Sequence, residues 1–174
     1  GERRTPNLVS GSITGTVSGA DGVTALPPTI SGSVSGNTGS HTPVAEELYY
    51  SGGYLGTLGI PTLGLSVRVY QGTDADALRN GVGHFADTSI WDGNVAIAGH
   101  NRGVNNYFGK IHTLNVGDTI QLTTRLGTRS YEVCSVAKIS ADDTGVLNDS
   151  AENIITLITC VMDQPVYRWC VQAR

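Results

Sequence analysis

The stretch Thr156-Leu157-Ile158-Thr159-Cys160 decides how the rest of this chain is interpreted, because an apolar run ends there in a cysteine. A short run of apolar and β-branched residues predicts a buried strand. The side chain at the end of such a strand reaches the surface while the sheet holds its backbone, which is how rigid scaffolds present reactive groups. The sequence therefore makes Cys160 a candidate nucleophile.

Two further residues supply the groups that a cysteine nucleophile uses. His100 closes a second apolar run at residues 94–99, and Arg168 lies in a final apolar segment at residues 166–171. An imidazole can stabilise a thiolate and carry a proton, and a guanidinium can stabilise an oxygen that gains negative charge. Each residue alone has an ordinary structural explanation, as a buried thiol, a core or surface histidine, or a solvated arginine. The three together indicate catalysis.

Short strand patterns fill the second part of the chain. Leu63, Leu65, Val67 and Val69 alternate with other residues, which predicts a half-buried strand. Further strand patterns cover residues 95–98, 119–124, 130–139, 154–159 and 166–171. Many short strands separated by glycine-containing turns predict a mainly β fold, either a closed barrel or a sandwich.

One short helix is predicted between the first two strand patterns. Thr73 precedes Asp74 and Asp76, and a hydroxyl N-cap followed by acids in the first turn favours a helix start. The helix is expected to end near Gly81.

The composition changes near residue 45. Residues 1–45 hold no aromatic residue and are rich in glycine, serine and threonine, so they bury too little apolar area to offset chain entropy. We therefore predict a flexible spacer at residues 1–45 and a folded domain at residues 46–174. A chain of 174 residues suits one domain with an extension.

Charge and residue spacing exclude several kinds of protein. The formal net charge of -4, without a cluster of lysine or arginine, argues against nucleic acid as a partner. No apolar run approaches the ~18 residues of a membrane span. The absence of paired Cys-x-x-Cys or His-x-x-x-His spacing makes a zinc site improbable.

The three cysteines are an odd number, so at least one thiol is free. Cys134 and Cys170 both lie inside apolar strand patterns, and we interpret them as small core residues. This leaves Cys160 as the reactive one.

These motifs together resemble the sortases, cysteine transpeptidases of Gram-positive bacterial surfaces. The resemblance rests on the Thr-Leu-x-Thr-Cys strand ending at Cys160, the Ala-Gly-His element ending at His100, and Arg168 in the final strand, and it spans roughly residues 54–174. It implies a closed, roughly eight-stranded β-barrel with one or two short helices. It assigns catalysis to Cys160, His100 and Arg168, and it makes Thr159 and Ala98 walls of the substrate pocket.

The resemblance also implies a reaction. Cys160 is expected to cleave a Leu-Pro-x-Thr-Gly type sorting signal after its threonine, form a thioester, and pass the acyl group to an amine such as a peptidoglycan precursor. The expected substrates are surface proteins or pilins. The expected location is the extracellular face of a Gram-positive cell membrane, reached through an N-terminal anchor that this chain does not contain. The alternatives are a cysteine peptidase that uses water, and a non-catalytic β-barrel binding module on a flexible stalk.

No cofactor is expected, although calcium activation is conceivable. Some sortases hold calcium near the segment that precedes the cysteine strand, where four acids occur here: Asp142, Asp143, Asp149 and Glu152. We favour the interpretation that they form a solvated acidic loop. The same segment, residues 140–153, resembles the loop that sets specificity in the family. Its shortness favours a housekeeping or class D-like type.

Three other histidines and one short motif remain. His84 is predicted in a turn flanked by glycine, and we expect structural roles for His84 and His112, while His41 lies in the predicted spacer. The spacer also contains Leu26-Pro27-Pro28-Thr29, which resembles a sorting signal but continues with Ile30 in place of glycine. It is either an occluding pseudo-substrate or an accident of a linker rich in proline and threonine.

Overall fold

The computed structural model describes residues 39–174, and within them eight strands close into a barrel. The strand order around the ring is β1-β2-β3-β4-β7-β8-β6-β5, with β5 pairing back to β1. The predicted mainly β, eight-stranded barrel is therefore confirmed. The strands are β1 (Gly56–Ile60), β2 (Leu65–Gln71), β3 (Val82–His84), β4 (Asn94–Ala98), β5 (Thr119–Thr124), β6 (Gly127–Ser140), β7 (Ile154–Val161) and β8 (Gln164–Ala173).

A parallel pairing joins β4 to β7, the strands that lead to His100 and Cys160. Asn94 is opposite Ile154 and Ala98 is opposite Ile158 in this pairing. On its other edge β7 pairs antiparallel with β8 across a tight turn. Strands that are distant in sequence are thus fixed side by side, and the carboxyl ends of β4 and β7 lie at the same end of the barrel.

Alternation along these strands separates the core from the outer face. Ile155 and Leu157 of β7, and Val171 and Ala173 of β8, belong to the main hydrophobic core. Because successive side chains of a strand point to opposite faces, the residues between them face outward. Phe108, which is fully buried, packs into the same core from the long segment that follows β4.

The helix α1 (Ala75–Asn80) forms where predicted but begins one residue later than expected. Asp74, not Thr73, is its N-cap, because the Asp74 carboxylate accepts a hydrogen bond from the Ala77 N–H at 2.9 Å. Gly81 is the C-cap, as predicted. Leu63 also departs from prediction: it lies in a 3₁₀ turn, and the strand begins at Leu65.

Part of the predicted spacer is in contact with the barrel. Ser40 forms a bridge with Ser150, and His41 forms one with Gly93. The division at residue 45 remains a prediction, since residues 1–38, including the Leu26–Thr29 motif, lie outside the described residues. Within residues 39–174, no helix has the length and apolarity needed to cross a bilayer.

Asn94 at the start of β4 holds the segment between β6 and β7. Its buried side-chain amide donates to the backbone carbonyls of Val146 (2.8 Å) and Asn148 (3.0 Å). Its carbonyl oxygen accepts from the Thr156 hydroxyl at 2.8 Å. One side chain therefore joins β4, β7 and the loop at residues 140–153, for which the resemblance implies a role in specificity.

We predict that Asn94→Ala destabilises the domain by about 3 kcal/mol, because the two loop carbonyls and the Thr156 hydroxyl lose a buried partner. Urea unfolding measures this free energy. The matched control is Asn148→Ala, which removes an exposed asparagine side chain of the same loop. Equal unfolding free energies for the two variants would contradict the role assigned to Asn94.

Candidate active site

Cys160 and Arg168 are direct neighbours across the β7–β8 hairpin. The two residues are partners in the antiparallel register, and a register shift follows between Cys160 and Val161. Residues directly opposite in such a pair carry their side chains on the same face, with Cβ atoms about 5 Å apart. Cys160 is exposed and Arg168 is half-buried. The thiol and the guanidinium thus share the outer face of the barrel at one end.

His100 reaches the same face from β4. The last paired residue of β4, Ala98, is opposite Ile158, and the Gly99 N–H continues the pairing by donating to the Ile158 carbonyl at 3.2 Å. Because Ala98 is opposite Ile158, the residues two positions later on the two strands, His100 and Cys160, lie beside each other. Val95 and Ile97 belong to the core, so the alternation directs His100 outward, where its side chain is exposed. The three predicted catalytic residues are therefore brought to one end and one face.

Two contacts fix the approach of the chain to His100. The Thr159 hydroxyl donates to the Gly99 carbonyl at 2.7 Å, and the Phe108 N–H donates to the His100 carbonyl at 3.0 Å. Gly99 has no side chain for a steric reason. A Cβ there would meet the Phe108 ring at 2.8 Å, and this ring is buried in the core and has no free space to retreat. The absence of a side chain at Gly99 lets the Phe108 ring pack into the core next to the residue that precedes His100.

The Arg168 guanidinium is folded back onto its own hairpin. One of its terminal nitrogens, Nη1, donates to the carbonyls of Pro165 (2.9 Å) and Tyr167 (2.8 Å). The other three N–H groups make no hydrogen bond within the described part of the chain. A planar fork can be anchored through one nitrogen while the others remain available to a bound group.

The predicted pocket residues differ in orientation. Ala98 is half-buried and lies on the same face as Cys160. Thr159 is buried, and its hydroxyl is committed to the Gly99 carbonyl. Thr159 thus supports the backbone that leads to His100, and its part in a pocket wall stays a prediction.

The other two cysteines behave differently from each other. Burial, with a smaller contribution from Asp143, raises the pKa of Cys170 to about 11, so this thiol is protonated at neutral pH. Cys134 is exposed and its thiol lies 3.4 Å from the Gln172 carbonyl. Its interpretation as a core residue was wrong: Val133 faces the core, and the register irregularity that follows leaves Cys134 on the outer face. All three thiols are free.

His84 and His112 each have contacts of their own. His84 lies on β3 and not in a turn as predicted, and it is fully buried, with Nε2 2.8 Å from the Ser89 carbonyl and Nδ1 2.7 Å from the Gln71 side-chain oxygen. His112 is exposed and stacks on Trp169 with ring centroids 5.0 Å apart. The structural roles expected for both histidines stay predictions.

Three of the four acids in the β6–β7 segment have separate partners for their side chains. Asp149 lies 3.3 Å from His41, Glu152 lies 3.4 Å from Arg174, and Asp143 accepts from the Gly145 N–H. Across residues 39–174, no three histidine, cysteine or acidic side chains gather as metal ligands would.

One residue of the site has no signal in the sequence. The Asn101 side-chain amide donates to the Cys160 carbonyl, immediately after His100 in the chain. An asparagine in a loop is common, and only the fold reveals which carbonyl it reaches.

Comparison with known proteins places the chain in a family. The family model described as Sortase domain matches residues 58–174, and the chain belongs to the sortase family. It is similar to Sortase D of Bacillus subtilis (34% identity, 60% of this chain and 53% of that protein) and to Sortase A of Bacillus anthracis (32% identity, 62% and 52%). The chain therefore spans about half the length of these relatives. The similarity to a Sortase D agrees with the class D-like prediction.

The barrel also matches solved structures. The lid mutant of Streptococcus agalactiae Sortase C1 superposes with a TM-score of 0.70, at 23% identity, over 75% of this chain and 71% of that one. At this level of identity the likeness concerns the fold.

We predict that His84 makes the domain less stable as the pH falls below neutrality. Burial lowers the pKa of His84 below the ordinary value of 6.5, an effect reinforced by nearby His41 and partly offset by hydrogen bonds to Ser89 and Thr88. The unfolded chain then binds a proton that the folded one does not, so the unfolding free energy decreases as pH drops below about 6.5.

The check is urea unfolding between pH 7.5 and about pH 5. The variant His84→Gln is expected to show a weaker pH dependence than the unmodified domain, whereas His112→Gln, which alters an exposed ring, is expected to keep the full dependence. Identical pH dependence in all three proteins would show that His84 does not titrate as described.

Proposed function

We propose that this domain is a sortase-type cysteine transpeptidase that acts on surface proteins or pilins at the extracellular face of a Gram-positive cell membrane. The observation that carries the proposal is the placement of Cys160 opposite Arg168, with His100 directed to the same face, on a sortase barrel. The proposed reaction uses no cofactor.

In the proposed first half-reaction, the Cys160 thiolate attacks the carbonyl carbon of the threonine in a Leu-Pro-x-Thr-Gly type signal. The carbonyl oxygen becomes negatively charged, and the unbonded N–H groups of Arg168 stabilise it. The peptide C–N bond then breaks as the His100 imidazolium gives its proton to the departing amine. The product is a thioester between Cys160 and the threonine carbonyl.

In the second half-reaction an amine replaces the peptide that left. His100, now neutral, accepts a proton from the incoming amine as that nitrogen attacks the thioester. The C–S bond breaks, the Cys160 thiolate is restored, and a new amide joins the surface protein to the acceptor. A peptidoglycan precursor provides an amine of the required kind.

The direct test is mass spectrometry after the protein is mixed with a panel of Leu-Pro-x-Thr-Gly peptides. We expect an acyl adduct on Cys160, with cleavage after threonine. Addition of oligoglycine or another amine is expected to divert the adduct into a ligated product. Release of the free acid alone, whatever amine is added, would instead identify a cysteine peptidase, and an unmodified Cys160 with every peptide would favour a non-catalytic binding module.

We predict that Cys160→Ala abolishes adduct formation, because no other group replaces the thiolate. Cys134→Ser, the matched control, alters an exposed cysteine elsewhere on the barrel and is expected to form the adduct normally. Peptide turnover measured by chromatography distinguishes the two. Full loss of turnover in Cys134→Ser would contradict the assignment of the nucleophile.

We predict that Arg168→Ala lowers turnover by about 10²–10³, the usual cost of removing a donor to an oxyanion. Arg168→Lys is expected to restore little, because an ammonium cannot be anchored at the hairpin carbonyls by one nitrogen and reach the oxyanion with another. Arg79→Ala, on the exposed surface of α1, is the control for loss of a positive charge. A lysine variant with full kcat would exclude the oxyanion role.

A further inference from the structure

The backbone ladder between β4 and β7 stops one step short of the candidate nucleophile. The Gly99 N–H donates to the Ile158 carbonyl at 3.2 Å. Carbonyls two residues apart on a strand point to the same side, so the Cys160 carbonyl also faces β4. In a continuing ladder its donor would be the backbone N–H of Asn101. The side-chain amide nitrogen of Asn101 occupies that role instead.

His100 is thereby enclosed between two ties to β7. On one side Gly99 is held by Ile158 and by the Thr159 hydroxyl. On the other side Asn101 is held by Cys160 itself. The residues of β7 that take part in these bonds are the nucleophile and the two residues before it, so both ends of the His100 backbone are fixed to the strand segment that carries the thiol.

The other contacts of this loop do not reach β7. Arg102 lies 3.2 Å from Asp163, but both side chains are more than half exposed, and exposed ion pairs contribute little. The Phe108 N–H reaches the His100 carbonyl from the far end of the loop. Asn101, which is half-buried, is the nearest tie to β7 on the C-terminal side of the histidine.

We infer that Asn101 is a positioning residue that sets the distance between the His100 imidazole and the Cys160 thiol by replacing the missing rung of the β4–β7 ladder with a side-chain hydrogen bond. The inference rests on the proposed function, since it concerns the same pair of groups. Asn101 does not touch the reacting atoms. It acts through the backbone of the residues on either side of the bond.

The test compares Asn101→Ala and Asn101→Asp with the unmodified protein. The aspartate has the size of asparagine, but its ionised carboxylate presents no hydrogen-bond donor above about pH 5. Asn106→Ala removes an exposed asparagine from the same loop and is the matched control. Two quantities are measured: the steady-state constants with a cleaved peptide, and the pH dependence of Cys160 alkylation by iodoacetamide, resolved by peptide mass spectrometry. Cys134 is the internal reference for alkylation.

Both Asn101 variants are expected to lower kcat by about three- to tenfold, the equivalent of one hydrogen bond, with little change in KM. The pH of half-maximal Cys160 alkylation is expected to rise in both, while that of Cys134 stays constant. A change in folding alone would alter the melting temperature without moving this profile for one cysteine only.

Unchanged kcat and an unchanged Cys160 profile in both variants, with an active unmodified protein, would overturn the inference and leave the proposed function intact. Two results together would overturn both the proposed function and the inference. The unmodified protein would cleave no peptide, and the pH profile of Cys160 alkylation would be the same in the unmodified protein and in His100→Ala. Loss of kcat in Asn106→Ala equal to that in Asn101→Ala would also overturn the inference.

Discussion

The parallel pairing of β4 with β7 is the contact on which the candidate site depends. It is made by main-chain hydrogen bonds over five residue pairs, from Asn94–Ile154 to Ala98–Ile158. It converts two remote apolar runs into adjacent strands that end together. This register brings together the side chains that follow, His100 after β4 and Cys160 on β7. A slip of one residue in the pairing would turn one of these two side chains toward the core.

Much of the fold was predictable because the strands that build the site carry a regular pattern. The run ending at Cys160 and the segment at residues 119–124 alternate or remain apolar over a full strand, and both form where predicted. Two strands had no such signal. β1 (Gly56–Ile60) contains two glycines, and β3 (Val82–His84) is three residues long, so only pairing with neighbours in the barrel makes them strands.

The site was predictable in its residue types but not in its geometry. Cys160, His100 and Arg168 were found through motifs, whereas the register that joins them is a property of the closed sheet. The structure also separates the cysteines in a way that the pattern could not. Cys170 is buried and Cys134 is exposed, although both lie among apolar neighbours. Asn101 was missed because its significance depends on the unpaired carbonyl that it meets, and that carbonyl belongs to a distant part of the chain.

The strand β8 follows all the others along the chain, yet it lies between β7 and β6 in the ring. The cylinder stays open until this last segment pairs along both of its edges. A polypeptide emerging from the ribosome therefore cannot assemble the thiol, imidazole and guanidinium until Gln164–Ala173 has been synthesised. Such late closure by contacts between remote segments is slow compared with local folding, so the domain passes through a period in which its other strands can form while the guanidinium has not yet joined the thiol and the imidazole.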